Sequence, residues 1–206
     1  MSQFFYVHPD NPQQRLMKQA AAMIHEGAVI VYPTDSGYAL GCHIGDKKAL
    51  ERICQIRDIE KTHNFTLVCR DLAEISEYAR VENAAFRLIK ANTPGAYTFI
   101  FKATKEVPKR LMNPKKRTIG IRIPNNAIAQ ALLAELGEPI MSTTLIMPDE
   151  DMAEYDPEHI RDILERRVDL ILNGGYLGEK PTTVIDFSES EGEIIRVGEG
   201  DPTPFE

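Results

Sequence analysis

The sequence predicts an α/β fold built as one domain around a mixed sheet. Three observations carry this. Helical and strand-like apolar patterns interleave along all 206 residues. Two pairs of strand-like segments stand close together, 97–103 with 118–124 and 182–187 with 193–198, which argues against a purely parallel sheet. No repeat, low-complexity tract or clear linker divides the chain, and its length suits a single domain with a substantial core.

The elements follow in order. Residues 11–26 place Leu16, Ala20, Met23 and Ile24 on one stripe at helical spacing, with Gly27 as the stop. A strand follows over 28–32, and Pro33, Thr34, Asp35, Ser36 and Gly37 break it into a turn before a second apolar run. A helix is expected over 47–57, N-capped by Asp46. Residues 58–64 form a charged loop, 65–69 a strand, 71–78 a short helix and 82–91 a helix ended by Pro94-Gly95. Strands at 97–103 and 118–124 flank a basic segment, and a helix covers 126–136. Segment 139–146 is strand-like, 157–167 helical, 168–175 a strand stopped by two glycines, and 182–187 and 193–198 are late strands. The tail from 199 to 206 is expected to be loosely ordered.

Composition excludes several classes. No apolar run approaches a membrane span and residues 1–15 lack the order of a signal peptide, so a cytoplasmic protein without membrane contact is expected. Cys42, Cys54 and Cys69 form no CxxC pair, and His8, His25, His43, His63 and His159 share no metal spacing, so no protein-bound metal is expected. Among the histidines, His63 in the charged loop is the one to watch. The net charge of −7 argues against whole-surface attraction to nucleic acid. Its distribution is uneven. Residues 102–122 hold eight bases and one acid, whereas 135–206 hold nineteen acids and five bases. The basic segment is either a solvated loop or an anion-binding face.

Hydroxyls and bases gather at strand ends, where open α/β sheets hold ligands. Thr34 and Ser36 are turn formers or ligand contacts, and Arg57 and Lys61 a solvated helix end or a phosphate clamp. In "TIGIRIP", alternation puts Ile119, Ile121 and Ile123 on one face and Thr118, Gly120 and Arg122 on the other. An arginine at mid-strand requires an anionic partner. Asp35, Asp186 or a ligand carboxylate would serve. No phosphate-binding glycine loop, zinc-protease motif or nucleophile elbow occurs.

Taken in order, several segments resemble the YrdC family. "YPTDSGYALGC" resembles its PTDTVYGLGC, "IRDIEK" its KxRPxxK and "TPGAYTFIF" its WPGPxTLI. "TIGIRIP" resembles VAVRxP, "PIMSTT" resembles PLxSTSAN, and "NGG", "PTTVIDF" and "IIRVG" resemble the GG…STVVD…IRxG ending. The resemblance spans residues 10–200 as one domain, leaving a short tail at 201–206. It implies an open, twisted sheet with a concave basic surface. It also implies the synthesis of threonylcarbamoyl-AMP and pyrophosphate from L-threonine, bicarbonate and ATP with Mg²⁺, a product that modifies tRNA.

Carried onto this chain, the resemblance implies a threonine-binding group of Ser36, Arg122, Ser142 and Thr182. It implies an ATP-binding group of Arg57, Lys61, Thr118, Thr144 and Arg196. No nucleophile is required, because positioning and electrostatics suffice. Double-stranded RNA or tRNA is an implied partner, with Lys109, Arg110, Lys115, Lys116 and Arg117 as candidate contacts and a monomer as the favoured state. The chain departs from the pattern at Gln55, where the family has a lysine, at Asp58, where it has a proline, and at Ile146, where it has an asparagine. The expectation is therefore a retained pocket with weak or altered catalysis. The alternatives are a non-catalytic RNA-binding module and carbamoyl transfer to another acceptor.

Overall fold

The computed structural model describes residues 1–60, 62–189 and 191–206. It is a single α/β unit. In chain order the elements are β1 (Gln3–Tyr6), α1 (Gln14–His25), β2 (Ile30–Thr34), β3 (Gly37–His43), α2 (Lys47–Arg57), β4 (Thr66–Val68), α3 (Leu72–Tyr78), α4 (Asn83–Asn92) and β5 (Tyr97–Lys102). They continue as β6 (Thr118–Arg122), α5 (Ala127–Leu136), β7 (Ile140–Thr144), α6 (Pro157–Leu164), β8 (Leu170–Asn173), β9 (Thr183–Asp186) and β10 (Glu193–Arg196). The ten strands form one sheet in the order β1-β8-β2-β3-β7-β4-β6-β5-β9-β10. It is mixed, as expected: β5 pairs with β6 and β9 with β10 antiparallel, while β4–β6 and β5–β9 run parallel.

Local sequence accounts for most boundaries. Asp46 caps α2 by accepting the Ala49 N–H, and Asp156 caps α6 through the N–H groups of Glu158 and His159. Gly27 ends α1 at φ +97°. Strand β1 was not anticipated. It is a four-residue edge strand fixed by parallel pairing to β8, some 165 positions away, which no local pattern encodes. The turn after residue 32 is also tighter than expected. Strand β2 continues through Pro33 and Thr34, and Thr34 pairs with Gly37 across a two-residue hairpin loop, Asp35-Ser36. Pro33 lies past Val31, the last residue paired with β8, so its missing N–H breaks no bond on that side. Gly37, at φ +96°, supplies the left-handed backbone that closes the loop.

The tail is ordered, contrary to expectation. A 3₁₀ turn at Thr203–Phe205 seats Phe205, 8% exposed, against the rings of Tyr97, Phe99 and Phe187. Burial of this ring holds the end of the chain where polar tail composition alone would leave it free.

Helices cover the two faces of the sheet unequally. One face buries Leu67, Phe99, Ile121, Met141 and Ile185 with Ile53, Ile75 and Ile89 of α2, α3 and α4. On the other, Met17, Ala20 and Ile24 of α1 and Ile128, Leu132 and Leu133 of α5 pack over Ile30, Tyr32, Ala39, Val68 and Ile140. Among the described residues, the core that α1 and α5 form takes nothing from β6, β5, β9 or β10. That half of the face is left open. No helix among the described residues is long and apolar enough to cross a membrane.

Candidate functional site

The uncovered half of the sheet forms the floor of a cavity of about 600 Å³, a volume that accommodates a nucleotide-sized ligand. Strand alternation decides its chemistry. The residues that point away from the helical core are Thr66 of β4, Thr98 and Ile100 of β5, Thr118, Gly120 and Arg122 of β6, and Ser142 and Thr144 of β7. Thr182 and Val184 complete the floor from β9 and the residue before it. Gly120 lies between Thr66 and Ile100, its partners on either side. A Cβ there would come within 3.1 Å of Thr66 Oγ1, so glycine keeps the floor flat.

Arg122 is the electrostatic centre. It is 5% exposed, and its Nη2 donates to Asp35 Oδ1 at 2.6 Å. Asp35 Oδ2 accepts the Asn125 N–H at 2.7 Å, so both carboxylate oxygens are engaged. Of the partners considered from sequence, the structure selects Asp35. Asp186 lines the cavity farther along. The pair leaves Arg122 Nε buried without a partner among the described residues. A buried N–H of this kind costs free energy unless a ligand accepts it.

Two other arginines are held firmly by the protein. Arg57 donates from Nε to the Ile146 carbonyl at 3.1 Å and from Nη1 to Thr143 Oγ1 at 2.7 Å. Arg196 donates from Nε and Nη2 to the Thr182 carbonyl, at 3.1 and 2.9 Å, and from Nη2 to Thr182 Oγ1 at 3.2 Å. Thr182 Oγ1 and Thr98 Oγ1 lie 2.8 Å apart. Burial lowers the pKa of both arginines, and Arg122 adds a repulsive contribution at Arg196. His63 lies over Phe65 edge-on and lines the cavity; burial first, then Arg57, lowers its pKa. Three arginines, Lys116 and a histidine whose charged form is disfavoured thus surround one hydroxyl-rich floor.

The structure brings together most of the sequence-derived site. Arg122, Ser142 and Thr182 of the threonine group, and Arg57, Thr118, Thr144 and Arg196 of the ATP group, line the same cavity. Ser36 is buried in the hairpin loop, outside the lining, with its N–H donating to Thr34 Oγ1 at 3.0 Å. Lys61 lies outside the described residues. Of the basic segment, Lys116 lines the cavity, while Lys109, Arg110, Lys115 and Arg117 are exposed and outside the lining. Arg110 donates to the Gly45 carbonyl. Of the three departures, Ile146 lines the cavity, whereas Gln55 on α2 and Asp58 at its left-handed C-cap are exposed and do not. Sequence reasoning missed Thr66, Thr98 and Asn113. The first two were open to discovery by the same alternation that singled out Arg122.

Comparison with known proteins identifies the family of the chain and bears out its fold. A family model for Sua5, YciO and YrdC, described as telomere recombination, matches residues 22–198. The chain is 62% identical over its whole length to the uncharacterised protein YciO of Escherichia coli K12, also over that protein's whole length. The crystal structure of E. coli YciO superposes with a TM-score of 0.96, each chain fully covered. A threonylcarbamoyl-AMP synthase of Chromobacterium violaceum is 31% identical over 137 residues, 66% of this chain and 70% of that one. The structure of Pyrococcus abyssi Sua5 complexed with L-threonine shares the fold, with a TM-score of 0.87 at 22% identity over 95% of this chain and 57% of that one. With the family model matched across most of its length, the chain belongs to the Sua5/YciO/YrdC family.

Proposed function

We propose that the cavity binds L-threonine and ATP and that the protein is a divergent, slow threonylcarbamoyl-AMP synthase of the cytoplasm, acting as a monomer. The reaction would consume L-threonine, bicarbonate and ATP and release threonylcarbamoyl-AMP, pyrophosphate and water. One observation carries this reading: Arg122, buried and paired with Asp35, lines a nucleotide-sized cavity and keeps Nε unpartnered among the described residues. An amino-acid carboxylate would accept that N–H, with Ser142 and Thr182 beside it. Arg57 and Arg196, fixed by their backbone contacts, would carry phosphate charge and stabilise departing pyrophosphate. Mg²⁺ would arrive with ATP.

The similarity to proteins named threonylcarbamoyl-AMP synthase supports the substrate class. Ile146 supports the slowness, because it offers no side-chain hydrogen bond where the family pattern has an asparagine. The test is pyrophosphate release from ATP by the purified protein. Release that requires both L-threonine and bicarbonate, and is lost in Arg122→Leu, is the expected result. ATP hydrolysis indifferent to threonine would refute it.

A second reading is duplex RNA or tRNA binding, supported by the exposed bases of the connection between β5 and β6, where Lys116 reaches the cavity rim. Replacing Lys115, Lys116 and Arg117 with glutamine should then reduce the salt dependence of binding by roughly 0.7–0.9 per lost phosphate contact. An unchanged salt slope would exclude this loop as the contact face.

A further inference from the structure

We propose that His25, His43 and Glu138 form a zinc site that clips together the ends of α1, β3 and α5, separate from the cavity. The three are far apart in sequence and share no metal-binding spacing. The fold converges them. His25 is the last residue of α1, His43 the last of β3, and Glu138 follows Gly137, the left-handed stop of α5. One ligand atom from each lies within 4.8 Å of the others. Glu138 Oε1 is 2.6 Å from His43 Nε2 and 3.6 Å from His25 Nδ1.

The Glu138–His43 separation is of hydrogen-bond length, but its alignment is not that of a hydrogen bond. Despite the 2.6 Å separation, no donor among the described residues is aligned on Oε1, which is buried. Two atoms bound to one tetrahedral zinc at about 2.0–2.1 Å lie roughly 3.3 Å apart, and neither points along the other's lone pair. The observed separations bracket that value. Two imidazoles and one carboxylate are a donor set suited to Zn²⁺ and poorly suited to Mg²⁺. The C-terminal ends of α1 and α5 add partial negative charge beside the cluster, which favours a cation there.

Loading has one visible consequence. The Gly45 N–H donates to His43 Nδ1 at 2.9 Å, which places the proton of the neutral ring on Nε2. Binding zinc through Nε2 moves that proton to Nδ1 and breaks the Gly45 bond. Gly45 stands in an exposed turn, so its amide is free to turn to solvent.

The experiment titrates the untagged, chelator-stripped full chain with ZnCl₂ by calorimetry and follows the Gly45 amide by NMR. The expected result is one zinc per chain, a shift of the Gly45 amide, and no comparable response to MgCl₂. His25→Ala should weaken uptake more than about tenfold, since even removal of an outer-shell partner costs that much. His25 is half exposed on the last turn of α1, so this variant retains the fold. Glu138→Gln should do the same. No zinc uptake, or uptake unchanged in both variants and therefore owed to other histidines, would overturn the proposal.

Discussion

Asp35 and Arg122 form a buried ion pair, 2.6 Å between Oδ1 and Nη2, that ties the β2–β3 hairpin loop to the cavity floor. The side chains are 12% and 6% exposed, so neither charge has much water to fall back on. Breaking such a pair leaves an uncompensated buried charge and costs about 3–5 kcal/mol. Asp35→Asn should therefore lower unfolding stability by about 3 kcal/mol in urea denaturation. If Arg122 accepts a ligand carboxylate, added L-threonine should raise the melting temperature of this variant and leave that of Arg122→Leu unmoved.

Two buried phenols, Tyr32 and Tyr38, contribute to the alkaline limit of the fold. Burial pushes Tyr32 and Tyr38 up to about 12, against an ordinary value near 10. In each folded pocket the neutral phenol is favoured. The contribution is therefore complete below pH 10 and is lost as pH rises from there toward 12. Each phenol loses about 1.4 kcal/mol per pH unit across that window, and the raised Tyr78, Cys42 and Cys69 add to the same fall. Denaturation followed between pH 10 and 12 should show stability falling with pH, and Tyr32→Phe should make that fall shallower by about 1.4 kcal/mol per pH unit. Tyr32→Phe also removes the 2.7 Å contact to Ser142 Oγ, at a cost of about 1 kcal/mol near neutrality.

What was legible in the sequence follows from what is local. Alternation along "TIGIRIP" assigned Thr118, Gly120 and Arg122 to one face, and all three line the cavity. Asp46 and Gly27 marked helix ends because capping is a matter of neighbouring backbone. Segment β1 was illegible because its stability comes from a distant partner. The bounds of β2 were misread because Pro33 usually ends a strand, and only its place beyond the β8 pairing permits it there. That Ser36 points away from the cavity lining is likewise set by a hairpin register that the motif itself does not contain. The meeting of His25 with His43 depends on how the end of α1 sits against the end of β3, which is a tertiary fact.

The C-terminal tail should be structural. Phe205 is 8% exposed, with its ring centroid 5.3 Å from that of Tyr97 and 5.9 Å from that of Phe99. Tyr97 further donates to the Asp201 carbonyl at 3.0 Å. Phe205→Ala removes this packing and should cost about 3 kcal/mol. Chemical denaturation against the parent chain measures it. A loss below about 0.5 kcal/mol would mean the tail is no more than a surface strand end.

Two of the three departures from the family pattern, Ile146 and Gln55, separate by position. Ile146 lines the cavity, and its carbonyl receives Arg57 Nε at 3.1 Å, so its side chain leaves the backbone beside Arg57, the arginine proposed to carry phosphate charge. Gln55 is exposed on α2, and its carbonyl accepts Arg167 Nη2 at 3.1 Å, away from the lining. A donor restored at 146 would act on charge that develops in the transition state, where one well-placed hydrogen bond is worth on the order of 10²-fold in rate. Ile146→Asn should therefore raise threonine-dependent pyrophosphate release by about that factor, acting on kcat more than on KM for threonine. Gln55→Lys should add little, because a lysine there starts from the solvent side of the helix. The comparison is made on the two single variants and the double. If Gln55→Lys alone gives the larger gain, the α2 terminus must rearrange when ATP binds. If neither variant changes the rate, slow catalysis has its origin outside Gln55 and Ile146.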